Sequence, residues 1–206
     1  MTLSKPKQKR SQQTLEKITE ACEALLADAT FEEISMQAIA SQAGISVGNL
    51  YNRFSNKEAL IGHLVEIMHA RFSENVMSEL ESFPSNKALE VRLTHLVSVL
   101  ESAVNKNAAM VKAVASRNLA SRTSRTESTD QQAEWVLDSI LNWLYESKKE
   151  IKHPDAREAC RFAITSIIFG LQYRLIFDTP DRLHGPEKYK SQLAEMALSY
   201  LTQPTA

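Results

Sequence analysis

Apolar residues recur along this chain at spacings of three and four, and almost every stretch with a period has the helical one. From Leu15 through Ile18, Cys22, Leu25, Leu26 and Ala29 runs the stripe of an amphipathic helix of about 18 residues, with Ser11 placed to cap it. Met36, Ile39, Ala40 and Ala43 repeat the pattern in a shorter helix that Ser35 opens and Gly44 stops, because glycine adopts the left-handed conformation after a helix end without steric cost. Ser46 can cap a third helix, with Ile45 and Leu50 in the hydrophobic-staple relation that fixes the entry angle. About two turns later Ser55-Asn56-Lys57-Glu58 reads as a capping box with Ser55 at the cap. A fourth helix then runs from about Asn56 towards Leu80, with Leu60, Leu64, Met68, Phe72 and Val76 a turn apart. Phe83-Pro84 ends it after roughly 35 to 40 Å.

The period continues in Leu89, Leu93, Leu96, Val97 and Leu100, and again around Ala108 to Leu119. Ser121 to Asp130 has no apolar residue and predicts a loop or a frayed helix start. Trp135, Leu137, Ile140, Leu141 and Leu144 resume the helix. Pro154 suits the first turn of the next one, with Asp155 and Glu158 at its positive end. FAITSIIFGLQYRLIF is apolar on nearly every side, and a last helix starting near Pro186 carries Tyr189, Leu193, Met196, Ala197 and Tyr200 on one face.

The 206 residues contain only 5 Gly and 6 Pro, which agrees with an all-α protein. Three regions are expected: residues 1–55 as an arm and a small helical domain, 56–82 as a connecting helix, and 83–206 as a larger helical domain. Lys and Arg total 24 against 25 Asp and Glu, so only local charge can announce a nucleic-acid partner. One such patch exists. Thr2 to Gln13 carries Lys5, Lys7, Lys9 and Arg10 with no acidic residue, which fits either a solubilising tail or an arm that tracks a phosphate backbone. Cys22 and Cys160 lie in separate helical patterns, as expected of reduced core thiols, and their spacing suggests no metal site. With neither a signal-peptide pattern nor a run of about 18 apolar residues, the reading is a soluble cytoplasmic protein with no membrane partner.

Two helices joined by a glycine-containing turn, the second presenting small and amide side chains, have the layout of a helix-turn-helix. The chemistry suits DNA. Asn49 and Asn52 can donate and accept together at adenine edges, Val47 can meet a thymine methyl, and Gly48 admits close backbone approach. Tyr51 and Lys57 can anchor phosphates. Residues Thr14 to Leu64, and FEEISMQAIASQAGISVGNLYNRFSNKEAL above all, resemble the DNA-binding domain of TetR-family transcriptional regulators. By that resemblance Ser35, Ser46, Gly48, Tyr51 and Lys57 touch the DNA backbone or permit its approach, while Val47, Asn49 and Asn52 read bases. Thr30, Val47 and Asn52 depart from the residues most frequent at those positions.

Surplus apolar surface on the last two helices predicts a homodimer through a four-helix bundle, which would set two recognition helices about 34 Å apart over a palindrome. The resemblance points the same way and implies an unidentified small-molecule effector in the C-terminal domain, with repression as the default. Trp135, Trp143, Phe162, Phe169 and Tyr173, with His95, Asn142, Gln172 and Arg174 as polar contacts, are candidates to line its pocket. Aromatic residues at helical spacing equally form core, and Arg174 equally pairs with a neighbouring acid. No cofactor or metal is implied. Five scattered histidines and the absence of nucleophile, P-loop or dinucleotide motifs leave an enzyme without a constellation. The competing function is a ligand-binding or protein-docking module that does not use its helix-turn-helix on specific DNA.

Overall fold

A computed structural model describes residues 5–120, 127–177 and 185–203, with backbone alone at 5–9, 117–120, 127–130 and 132. Among these residues every element is helical: α1 (Lys5–Leu26), α2 (Met36–Gln42), α3 (Val47–Tyr51), α4 (Lys57–Glu81), α5 (Leu89–Lys106), α6 (Ala108–Ala120), α7 (Glu127–Tyr145), α8 (Ala156–Phe177) and α9 (Pro186–Thr202). They divide into two compact units, 5–67 with 112–120, and 68–111 with 127–177 and 185–203. The all-α reading holds. Thr2 to Lys9, the Ser121 to Asp130 stretch and His184 lie outside the described residues or carry no described side chain.

The first unit is built on the predicted stripes. Ile18, Cys22 and Leu26 of α1 are buried with Met36, Ile39 and Ala40 of α2, Leu50 of α3, Phe54, and Leu60, Ile61 and Leu64 of α4. α1 starts at Lys5, so Ser11 is not its cap. The polar segment before Leu15 has no stripe, yet it consists mostly of good helix formers, and Pro6 is tolerated in a first turn. The capping box is also shifted by one residue. Asn56, not Ser55, caps α4, its Oδ1 accepting from the N–H of Ala59 at 2.8 Å, which puts Glu58 one position too early for the box.

In the second unit α5 packs on α8 and α9, and α8 packs on α7 and α9. Leu93, Leu96, Leu100, Ile140, Leu141, Leu144, Ile164, Ile167 and Leu201 form the centre of one core. Asp155 caps α8, its Oδ1 accepting from Glu158 N at 3.0 Å, so Pro154 lies just before the cap instead of in the first turn. α8 is long and apolar enough to cross a membrane, with a window of mean hydropathy 1.3 that the sequence reading passed over. Ala159, Cys160, Ala163, Ile164, Ile167 and Leu171 face protein, but only 28% of that window is buried, and Phe162, Phe169 and Tyr173 on its other side are exposed.

Arg92 sits inside this core with no exposed surface. Its guanidinium donates to Glu146 and to the carbonyl of Ser85, and stacks 4.3 Å from the Trp143 ring. Trp143 in turn donates its indole N–H to Leu80 O at 3.0 Å. Arg92→Ala is expected to destabilise the protein by about 3 kcal/mol, from lost charge-assisted hydrogen bonds and an emptied site. Glu146, whose side chain is 52% exposed, regains water when its partner goes. Glu146→Gln keeps a carbonyl acceptor for the buried guanidinium but removes its counter-charge, and is expected to cost about 2 kcal/mol, less than Arg92→Ala. Urea unfolding of both variants checks the ordering, and equal losses would contradict it.

Candidate nucleic-acid interface

The turn between α2 and α3 is closed by hydrogen bonds that the sequence only hinted at. Ile45 N donates to Ala40 O at 3.0 Å and Gly44 N to Ser41 O at 3.1 Å, the paired bonds of a Schellman stop. Gly44 adopts φ +66°, which an L side chain resists. Ser46 then caps α3, its Oγ accepting from Asn49 N at 3.1 Å, and Ser35 caps α2 in the same way through Ala38 N at 3.0 Å. Each serine hydroxyl accepts in its cap and still has its O–H to donate outward.

Short as it is, α3 cannot stand alone. Leu50 anchors it with no exposed surface, and Phe54 follows into the same core. That burial turns Gly48, Asn49, Tyr51 and Asn52 out to solvent, with Val47 half-buried at the edge. Tyr51 is 45% exposed. Asn52 lies just past the last helical residue but keeps helical backbone angles, so it continues the same face. Of the sequence-predicted set, Ser35, Ser46, Val47, Gly48, Asn49, Tyr51 and Asn52 thus occupy the α2–α3 corner and its outer side. Lys57 is half-buried, its Nζ donating to Glu32 O at 3.3 Å.

No Asp or Glu occurs from residue 34 to residue 57, while Arg53 and Lys57 do, so the local charge on this stretch is positive. The nearest upstream acid is occupied: Glu33 accepts from Thr30 N at 2.7 Å and Thr30 Oγ1 at 2.9 Å, and these bonds hold its carboxyl below the usual range. Thr30, one of the departures from the resemblance, thereby gains a structural role. Arg53 was missed by the sequence reading. Its NH1 donates to Ser11 Oγ at 3.0 Å, tying the end of α3 to α1, and its Nε is buried without a hydrogen-bond partner. A cation directly after Asn52 was the available signal.

The proposed effector residues are not gathered in one place. Trp135, Phe162, Phe169 and Tyr173 are between 52% and 60% exposed, so they do not line an enclosed pocket with Trp143 and His95. His95 stacks on Phe83 at 4.1 Å, with Trp143 edge-on to Phe83 at 5.7 Å. Arg174 lies 5.2 Å over the Tyr189 ring, and Arg157 rather than an effector occupies Asn142 Oδ1 at 3.1 Å. The periodicity placed the aromatics on an apolar face, but it cannot say whether the same chain covers that face. Burial pushes the thiol of Cys22 up to about 12 and that of Cys160 to about 11, which keeps both protonated and unreactive. Among the described residues, no three His, Cys, Asp or Glu side chains gather as a metal site.

These features define an all-helical protein with an outward-facing helix-turn-helix on one unit and a separate helical core in the other. Residues 18–64 match the family described as bacterial regulatory proteins, tetR family. No curated protein matches the chain. Among solved structures, a tetR-family transcriptional regulator from Streptomyces coelicolor superposes with TM-score 0.69 at 16% identity, covering 92% of this chain and 80% of that one. A TetR transcription regulator from Haloarcula marismortui gives 0.67 at 19%, covering 93% and 97%. The transcriptional regulator FadR from Bacillus subtilis, solved in complex with stearoyl-CoA, gives 0.62 at 20%, covering 93% and 99%. The chain therefore carries the N-terminal domain of the tetR family within the two-part helical fold of its solved regulators.

Proposed function

We propose that the protein is a sequence-specific DNA-binding transcriptional regulator, working as a homodimeric cytoplasmic repressor that a small molecule releases from a palindromic operator. The observation that carries this reading is the α2–α3 corner. Its turn and both helix starts are held by hydrogen bonds, its apolar side is buried, and what remains outside is an acid-free face of amide, hydroxyl and glycine positions suited to a major groove. In this reading Ser35, Ser46, Gly48, Tyr51 and Lys57 meet the backbone and Val47, Asn49 and Asn52 read bases. Lys57 would exchange its Glu32 carbonyl for a phosphate. Residues 1–55 read DNA, 56–82 connect, and 83–206 dimerise and bind the effector. FadR's complex with stearoyl-CoA supports a small-molecule effector as such.

Selection from randomised duplex DNA, followed by anisotropy titration of the winner at several salt concentrations, tests the reading. The expected result is an enriched palindrome bound at least about a thousandfold tighter than random DNA, with affinity falling steeply as salt rises. No enrichment would overturn it in favour of a docking module.

A further inference from the structure

α4 and α5 run antiparallel where they meet in the second unit. Lys106 Nζ lies 3.4 Å from Asn75 Oδ1 at one end, and Phe83, beyond α4, stacks on His95 at the other. Between these points lies a groove of about 210 Å³, far above the roughly 10–15 Å³ that one water needs. Its polar lining comes from Asn75 and Glu79 on α4 and His95, Ser98, Ser102 and Lys106 on α5.

Two features make this more than a wet crevice. The Nε2 of His95 is buried without a hydrogen-bond partner, which is costly for a ring nitrogen that could donate or accept. The groove also holds charges of both signs without an ion pair between them. The Lys106 ammonium reaches only an amide among the described residues, and the Glu79 carboxylate has no described partner; both side chains are exposed to solvent at the groove's edge. A lining with an ammonium towards one end, a carboxylate a helical turn away along α4, and two hydroxyls between is complementary to a short molecule with the opposite arrangement.

We propose that this groove binds a small zwitterion of amino-acid size, its carboxylate at Lys106 and its ammonium at Glu79, with Asn75, His95, Ser98 and Ser102 serving the remaining polar atoms. The lining does not suit an acyl tail, which would desolvate these groups without replacing their hydrogen bonds. The proposal rests on the effector reading above only for its consequence. Asn75 and Glu79 belong to α4, the helix that also supplies Leu60 and Leu64 to the DNA-reading unit, so occupancy bears on that helix.

Saturation-transfer NMR on the full chain tests it with four separate probes: a pool of the standard amino acids, the corresponding hydroxy acids, the corresponding amines, and palmitoyl-CoA. Transfer to one or more amino acids is expected, lost in Ser102→Trp, which fills the groove from an exposed position. Glu79→Gln and Lys106→Ala are each expected to weaken the retained amino acid tenfold or more, with unchanged circular dichroism. Equal signals from wild type and Ser102→Trp, or binding confined to hydroxy acids, amines or palmitoyl-CoA, would overturn the proposal. Operator anisotropy with the bound amino acid separates the two readings. Binding in the groove with unchanged operator affinity keeps the site and removes the release mechanism, whereas release of DNA without transfer at the groove does the reverse.

Discussion

Gly48→Leu is expected to leave the protein as stable as before, or slightly more so, while weakening its binding to every DNA sequence by about tenfold to a hundredfold. Nothing inside the chain asks for glycine at this position. A Cβ built on Gly48 meets no atom within 4 Å, and its backbone is not left-handed. Within α3, glycine costs about 1 kcal/mol relative to alanine, in a helix of five residues with little stability to spare. The residue that lowers helix stability and faces solvent is therefore best explained by something that comes close from outside. A leucine there stands about 4 Å proud of the backbone, and holding the DNA off its neighbours forfeits contacts of roughly 1–3 kcal/mol. Gly44 is the control. Its φ of +66° makes Gly44→Ala strained, so that change is expected to lower stability by about 1 kcal/mol as well as activity. Thermal melts beside anisotropy titrations distinguish the two glycines. Full-strength binding by a folded Gly48→Leu protein would show that DNA does not approach α3.

Much of this arrangement was legible in the sequence because helices betray themselves through period and punctuation. Gly44 and Ser46 are local signals with a local cause, and they marked the turn to within a residue. The errors fall where two good local choices compete. Ser55 and Asn56 are both strong caps, and Pro154 as a first-turn residue competes with Asp155 as a cap, so which register is used depends on where tertiary packing of Phe54 or α8 sets the first turn. Arg92 shows another limit. It lies on the same stripe as Leu89, Leu93 and Leu96, yet a charged residue is not counted as core until Glu146 and Trp143 are seen to satisfy it. The aromatic set marks a third. Phe162, Phe169 and Tyr173 read as apolar face whether the cover is the same chain, a ligand or a second copy.

The exposed row on α8 gives the other large effect. Phe162, Phe169, Tyr173 and Phe177 are spaced seven, four and four residues apart, which puts them along one side of the helix. On α9, Met196 and Tyr200 are a turn apart, and the Tyr200 ring lies 5.3 Å from Phe162, so the two helices present one continuous apolar surface. A contiguous patch of this kind marks an interaction site. Under the dimer reading it pairs with its own copy across a two-fold axis, and every substitution then acts twice. Phe169→Asp removes two phenyl groups worth about 1.5–3 kcal/mol each and brings two carboxylates into an apolar contact. The dimer is expected to weaken by at least about a thousandfold. Because Phe169 is 60% exposed in the single chain, the protein is expected to remain folded, and sedimentation should show half the wild-type mass with unchanged helicity. Binding to a palindrome should fall with it while binding to a single half-site persists, the opposite of Gly48→Leu, which weakens both alike. A wild-type protein that sediments as a monomer at micromolar concentration, or a Phe169→Asp variant that stays paired, would place the cover of this surface elsewhere and remove the geometric basis for reading a palindrome.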